Sequence, residues 1–203
     1  MLGVEHEITP SQFDEYAVKQ EDFPNRESYV QAVAAGKILE VAFRHEVDSN
    51  DLAVLGGDLM TFVGDRTFHK PKNYEQAREF MRSFLGGWHD EVVATGVWYQ
   101  GKLEIRVSTS RVYTPPFSEE QLKSYLQIAS PLDKSGGYSI GAAIRTVGKH
   151  GVEKVKLEGH LTTVLGMNLF DTAELLRQAG LTVPAKEAEV EAAIEQDVFS
   201  HQA

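Results

Sequence analysis

The stretch LGGDLMTFVGDRTFHK, residues 55–70, closed by Pro71, decides how the chain is organised. An apolar strand over residues 52–55 runs into the pair Gly56-Gly57, delivers one carboxylate at Asp58 and resumes as a strand over residues 59–63. The Gly64-Asp65 turn then sends back a short return strand, and with it the lysine Lys70. Such a hairpin holds an acid and a cation at one end of a sheet, an arrangement suited to a metal-bound polyphosphate. The plainer reading is a turn with two charges, because Gly and Asp are ordinary turn residues.

The composition sets limits around this hairpin. At 203 residues the chain is long enough to bury a real core, and 42% hydrophobic with 25% charged residues is the balance of a globular protein. No apolar run approaches the ~20 residues of a membrane span, and the first residues lack the basic start and apolar run of a signal peptide, so the expectation is a cytoplasmic protein without membrane partners. The chain has no cysteine, which excludes disulfides and thiolate chemistry. A net charge of -10 argues against binding nucleic acid, since a long polyanion needs an extended basic face to replace its counterions. A single nucleotide remains open to it, because a few converging lysines can hold phosphates inside an acidic protein.

Outward from the hairpin, residues 4–9 read as a short strand ending at Pro10, followed by an acidic loop with Asp14 and Glu15. Asn25 is placed to cap a helix whose stripe is Val30, Val33, Ala34, Ile38 and Val41. Lys37 sits on or beside that stripe, where its head either snorkels to solvent or points into a cleft. Asn73 and Gln76 form a capping-box pattern for a helix with Tyr74, Ala77, Phe80, Met81 and Phe84 inward, ended by Gly86-Gly87. Two strands, residues 91–99 and 102–113, joined at Gln100-Gly101, form the antiparallel span of the sheet. Leu103, Ile105 and Val107 face one way in the second of them. Ser118 with Gln121 is another capping box, with Phe117 and Leu122 as its staple, and the helix ends near Ala129. A loop follows with Asp133, Lys134, Ser135-Gly136-Gly137 and Tyr138; glycines beside a charge pair let backbone amides approach an anion, and they also mark common turns. A strand over residues 152–157, a loop rich in small residues, a helix capped by Asn168 and stopped by Gly180, and an acidic helix over residues 184–199 with Val190, Ile194 and Val198 as its seam complete the chain.

Negative results narrow the chemistry. The sequence has no G-x-x-x-x-G-K-[ST] loop, no G-x-G-x-x-G after a strand, no G-x-S-x-G elbow, and no metal-ligand spacing among its seven histidines. Carboxylates and lysines on loops between strands remain, a set suited to a hard metal ion, phosphate and an activated water.

The order of motifs then adds what no single motif carries. GGDLMTFV, HKPKNYEQAREFM, WHDEVVATGV, FSEEQLKSYLQIASPLDKSGGYSI and GHLTTVLGMNLFDTAELLRQAG, in that succession, resemble the Maf family of nucleoside triphosphate pyrophosphatases over most of residues 3–180. The resemblance implies a single α/β domain over residues 1–203: an elongated mixed sheet flanked by helices, in two lobes with a central cleft, related to the inosine triphosphate pyrophosphatases. It implies a homodimer, and hydrolysis of a nucleoside triphosphate to the monophosphate and pyrophosphate with Mg²⁺ or Mn²⁺.

By position, the resemblance makes Asp58 the catalytic aspartate and metal ligand, with Lys70 and Lys37 as catalytic lysines. Glu15, Asp133, Lys134 and Tyr138 become substrate-binding residues, and the Asp-Lys pair followed by Gly-Gly-Tyr looks like the branch acting on dTTP and UTP, so the expected substrate is a dTTP- or UTP-like nucleotide or a modified one. The chain departs from the family twice. The family's first strand and Ser-Pro-Arg-Arg-type loop precede the point where Met1-Leu2-Gly3 aligns, so that loop is expected to be missing, and Gly141 stands where a glutamine is expected. These departures leave a second reading beside the enzyme: a catalytically impaired Maf-like nucleotide-binding or interaction protein.

Overall fold

The computed structural model describes residues 2–47, 52–148 and 153–200. The Gly-Asp turn and the Gln100-Gly101 turn fold the central chain back on itself twice. Gly64 (φ 58°), Gln100 (φ 48°) and Gly101 (φ 75°) take the left-handed region that tight hairpins need. The result is a five-stranded sheet in the order β2-β1-β3-β4-β5, with β1 at Val54–Val63, β2 at Arg66–Phe68, β3 at Gly87–Tyr99, β4 at Lys102–Thr114 and β5 at Lys156–Glu158. These strands pair antiparallel throughout, and the mixed character expected of the sheet is confined to one parallel bridge, Leu85 to Thr114.

Helices cover both faces. On one face lies α1 (Arg26–Arg44), which buries Tyr29, Val30, Val33 and Ala34 against Met60, Phe62, Val92 and Ala94. Ile105 and Val107 of β4 pack on the same cluster, as their alternation requires. The opposite face carries α2 (Tyr74–Phe84), α3 (Glu119–Ala129) and α4 (Ile140–Gly148) around Phe68, Phe84, Tyr125 and Ile144. Further along that face, α5 (Leu161–Val164), α6 (Leu169–Gln178) and α7 (Glu187–Phe199) close the end of the sheet, where Leu2, Val97, Leu169 and Leu176 meet.

Helix starts follow the capping residues. Asn25, Asn73, Ser118 and Asn168 each accept the amide three residues on, at 2.8 to 3.2 Å. Ser118 and Gln121 form the reciprocal capping box, whereas Gln76 reaches back to the amide of Lys72 instead of Asn73.

Four expectations change. Residues 4–9 form no strand, because no neighbouring strand offers them a ladder, and Ile8 is left 83% exposed. Tyr74, the first residue of α2, is exposed instead of inward, while Ala77, Met81 and Phe84 are buried. The strand expected over 152–157 is β5, limited to Lys156–Glu158; Val152 lies outside the described residues. The last helix begins at Glu187, three residues after Pro184.

Candidate active site

The β1–β2 ladder covers only Thr61–Val63 of β1, whereas the β1–β3 ladder runs from Val54 to Phe62. The outer edge of β1 over residues 57–60 is therefore uncovered by strand, and a cleft of about 350 Å³ opens there. Alternation along β1 sends Asp58 to the α1 face, with Met60 and Phe62, and Leu59 and Thr61 to the other. Groups from both faces of the sheet thus reach one opening.

The glycines before Asp58 explain how α1 comes so near. A Cβ on Gly56, or on its register partner Gly96, would stand 2.8 Å from the Ile38 side chain, and one on Gly57 would stand 2.5 Å from the Ala94 carbonyl oxygen. With hydrogen at these positions, Ile38 sinks onto the sheet and its neighbour Lys37 is carried to the cleft. The Lys37 ammonium donates to Asp58 Oδ1 at 2.5 Å and is ion-paired with Glu15 Oε2. Glu15 arrives on the turn Glu15–Ala17, which is capped by Asp14 accepting from Tyr16 N at 3.1 Å. Lys70, just beyond β2 and half exposed, has its Nζ 4.0 Å from Glu15 Oε1. The cation in contact with Asp58 is accordingly Lys37, and Lys70 stands across Glu15.

The charges tune one another. Burial pushes the Asp58 carboxyl up from its ordinary value, against the opposing pull of the Lys37 ammonium. For Glu15, burial also pushes up, but hydrogen bonding and charge from Lys37, with help from Lys70, hold it below the usual carboxylate range. Burial alone would lower Lys37; Asp58 and Glu15 outweigh it and hold the ammonium charged. Glu15 and Asp58 are the two carboxylates here that could hold a metal ion together, and no cluster of three or more acidic or histidine ligands exists among the described residues.

The opposite wall is built from the loop after α3. Lys134 donates to Asp133 Oδ1 and to the Ser130 carbonyl, both at 2.9 Å, so the pair sits at the rim bound to itself and to its own loop. Ser135 fastens this loop to the sheet: its hydroxyl accepts from Thr61 N at 3.0 Å and donates to the Phe68 carbonyl at 3.1 Å, filling the end of the β1–β2 ladder. Tyr138 contributes to the lining, but its hydroxyl is held by Thr114 Oγ1 at 2.9 Å and its ring lies against His89 and Phe84. The Tyr138 hydroxyl is thus committed to Thr114.

Sequence reasoning missed Glu91. It lies on β3 opposite Thr61, is 2% exposed, lines the floor of the cleft and accepts from Thr61 Oγ1 at 2.9 Å. Burial pushes its carboxyl up to about 8. His89, whose Nε2 is 3.5 Å from Glu91 Oε1, is driven the other way by burial, down to about 3, and neither ring nitrogen has a hydrogen-bond partner. The available signal was positional: His89 and Glu91 occupy the face of β3 that Val93 and Val97 make apolar.

Comparison with known proteins places this geometry in a family. The model of Maf-like proteins matches residues 1–179. A dTTP/UTP pyrophosphatase of Methylobacillus flagellatus is 31% identical over 183 residues, covering 90% of this chain and 86% of the relative. Proteins of the same name from Neisseria meningitidis and Aquifex aeolicus are each 28% identical, over 90% and 89% of this chain and 88% of theirs. With the match running through the hairpin, the Lys37 helix and the Asp133 loop alike, the chain belongs to the family of Maf-like proteins.

Proposed function

We propose that the protein is a nucleoside triphosphate pyrophosphatase acting on a dTTP- or UTP-like nucleotide, releasing the monophosphate and pyrophosphate. The observation that carries the reading is the Lys37 ammonium bridging Asp58 and Glu15 at the mouth of the cleft, with Lys70 beside them. The names of the relatives support the substrate class.

In this reading Asp58, raised by burial yet still held by Lys37, orients a water and takes its proton as the oxygen attacks phosphorus. The bond from the α-phosphorus to the bridging oxygen breaks, and pyrophosphate leaves with that oxygen. Lys37 and Lys70 offset the charge on the phosphate oxygens, the electrostatic contribution that dominates phosphoryl transfer. The loop of Asp133, Lys134 and Tyr138 borders the nucleoside.

A divalent cation fits the donor set, because Mg²⁺ is characteristically held by one or two carboxylates with phosphate oxygens and water completing its shell. Glu15 and Asp58 would supply the carboxylates, and the ion would supply charge neutralisation on the triphosphate. Mg²⁺ and Mn²⁺ share this preference for oxygen.

Pyrophosphate release from dTTP, UTP, CTP and GTP with Mg²⁺ or Mn²⁺ tests the proposal, with Asp58→Asn as the control. Release from dTTP or UTP well above that control is expected. The alternative outcome is a catalytically impaired nucleotide-binding protein. Nucleotide-dependent thermal stabilisation without turnover would establish that reading instead.

A further inference from the structure

Val164, Leu165 and Gly166, the end of α5 and the turn after it, form part of the cleft wall. A helix as short as Leu161–Val164 has little stability of its own, and His160 gives it no side-chain cap. Its support comes from β4, where the Ser110 hydroxyl donates to the His160 carbonyl at 3.0 Å and accepts from His160 N at 2.9 Å, and from α7. Glu191 on α7, 5% exposed, accepts from Thr162 N at 3.2 Å and from Thr162 Oγ1 at 2.6 Å. The same threonine oxygen accepts from Leu169 N at 3.3 Å, and Asn168 donates to Thr163 Oγ1 at 2.9 Å, so both ends of the turn are tied to one carboxylate and one cap.

The rest of α7 is anchored well enough to transmit that hold. Arg177 of α6 grips Glu187 through two hydrogen bonds, at 3.0 and 2.8 Å, and Val190 and Ile194 pack among Leu169, Ala173 and Leu176. Ile194, Val198 and Phe199 also pack on the cluster that includes Ile140 and Ile144 of α4, whose first residue borders the cleft. All of α7 lies beyond residue 179, where the match to the family model ends.

We infer that Glu191 is a positioning residue: through Thr162 it holds the turn at residues 164–166 against the cleft and so sets how tightly the nucleotide binds. The inference rests on the nucleotide reading of the cleft. Asp58 and Lys37 belong to the α1 face of the sheet, whereas Glu191 bonds Thr162 on the face that carries α5 to α7, so its effect falls on affinity more than on the chemical step.

The experiment compares Glu191→Ala, Glu191→Gln and Thr162→Val in the full chain. It measures kcat and KM for dTTP, and the Kd of a dTTP analogue with a methylene between the α and β phosphates. Removing a carboxylate that satisfies a buried amide and hydroxyl should raise KM and Kd on the order of tenfold with kcat changed by about twofold or less. Glu191→Gln retains an acceptor and should recover most of the loss; Thr162→Val, which keeps the amide, should fall between. A folded Glu191→Ala protein with lowered Tm but unchanged KM and Kd would overturn the inference, and if that variant does not fold, Thr162→Val decides by the same criterion. Should the wild type neither hydrolyse nor bind a triphosphate, the functional reading fails by itself. Amide hydrogen exchange then judges the buttress: faster exchange at residues 162–166 in Glu191→Ala, with residues 133–139 unchanged, upholds it, and no acceleration refutes it.

Discussion

Replacing Glu91 with glutamine should make the protein more stable above neutral pH, although it alters a residue on the floor of the cleft. In the fold the Glu91 carboxyl is pushed from its ordinary 4.5 up to about 8, so between these values the native state holds a proton that the unfolded chain has lost. Its contribution is therefore fully present below about 4.5 and is lost as pH rises through about 8. His89 acts in the opposite sense: depressed from 6.5 to about 3, it contributes stability above 6.5 that is lost as pH falls through about 3. Between about 4.5 and 6.5 the two slopes cancel, and from 6.5 to 8 only the Glu91 slope remains. At about 1.4 kcal/mol per pH unit, that last interval costs the wild type about 2 kcal/mol. Glutamine can still accept from Thr61 and never ionises. The stability difference between variant and wild type should consequently grow in the variant's favour from pH 4.5 to 8.5, with about 5 kcal/mol as the upper bound. Urea unfolding of both proteins at half-unit intervals reads this directly. Parallel profiles across that range would refute the claim that Glu91 is held protonated by burial.

Other perturbations probe the remaining walls. Lys37→Met should lower kcat on the order of a hundredfold or more, and should move the acid limb of the rate profile to higher pH because Asp58 loses the cation that opposes its burial; an unmoved limb would mean that Asp58 does not govern it. Gly57→Ala would place a methyl against the Ala94 carbonyl and should cost about 1 to 3 kcal/mol, visible as a lowered Tm together with reduced turnover at the adjacent Asp58; a Tm equal to wild type would contradict the close strand contact. Ser135→Ala leaves Thr61 N and the Phe68 carbonyl without their partner and should cost about 1 to 3 kcal/mol while raising KM through the loosened Asp133 rim; unchanged KM would sever that loop from nucleotide binding.

What could be read from the sequence was mostly what is local. Helix caps need only a side chain and the amide three residues on, and Asn25, Asn73, Ser118 and Asn168 were all legible. The hairpin around Gly64-Asp65 was legible for the same reason. The gathering of Glu15, Lys37, Asp58 and Lys70 followed from the family resemblance, since nothing local joins a loop, a helix and a hairpin. The identity of the partner did not follow: Lys37, not Lys70, touches Asp58, because that depends on how far Ile38 sinks over Gly56 and Gly96.

The misses have physical causes. Helix α4 went unseen because Ile140, Ala142, Ala143, Ile144, Thr146 and Val147 are all buried, so its outer face of Gly141, Arg145 and Gly148 is marked by a single charged side chain, and the glycines before it suggested loop. Helix α5 is too short to show a period at all. Residues 4–9 carried a strand-like pattern without a neighbour to pair with, and strand formation is decided by the neighbour. Glu91 was hidden by its type, since a glutamate in a strand is ordinarily assigned to solvent.

The uncovered edge of β1 at residues 57–60 has a consequence for how this cleft can vary. A single strand acts there as a partition: the side chains it sends toward α1 meet the charged cluster, and those it sends the other way meet Glu91 and the Ser135 loop. Substitutions on one side can reshape the ligand's surroundings without passing through the packing that fixes Lys37 against Asp58. On the proposed function, turnover and selectivity would be set on two sides of one strand, free to drift apart.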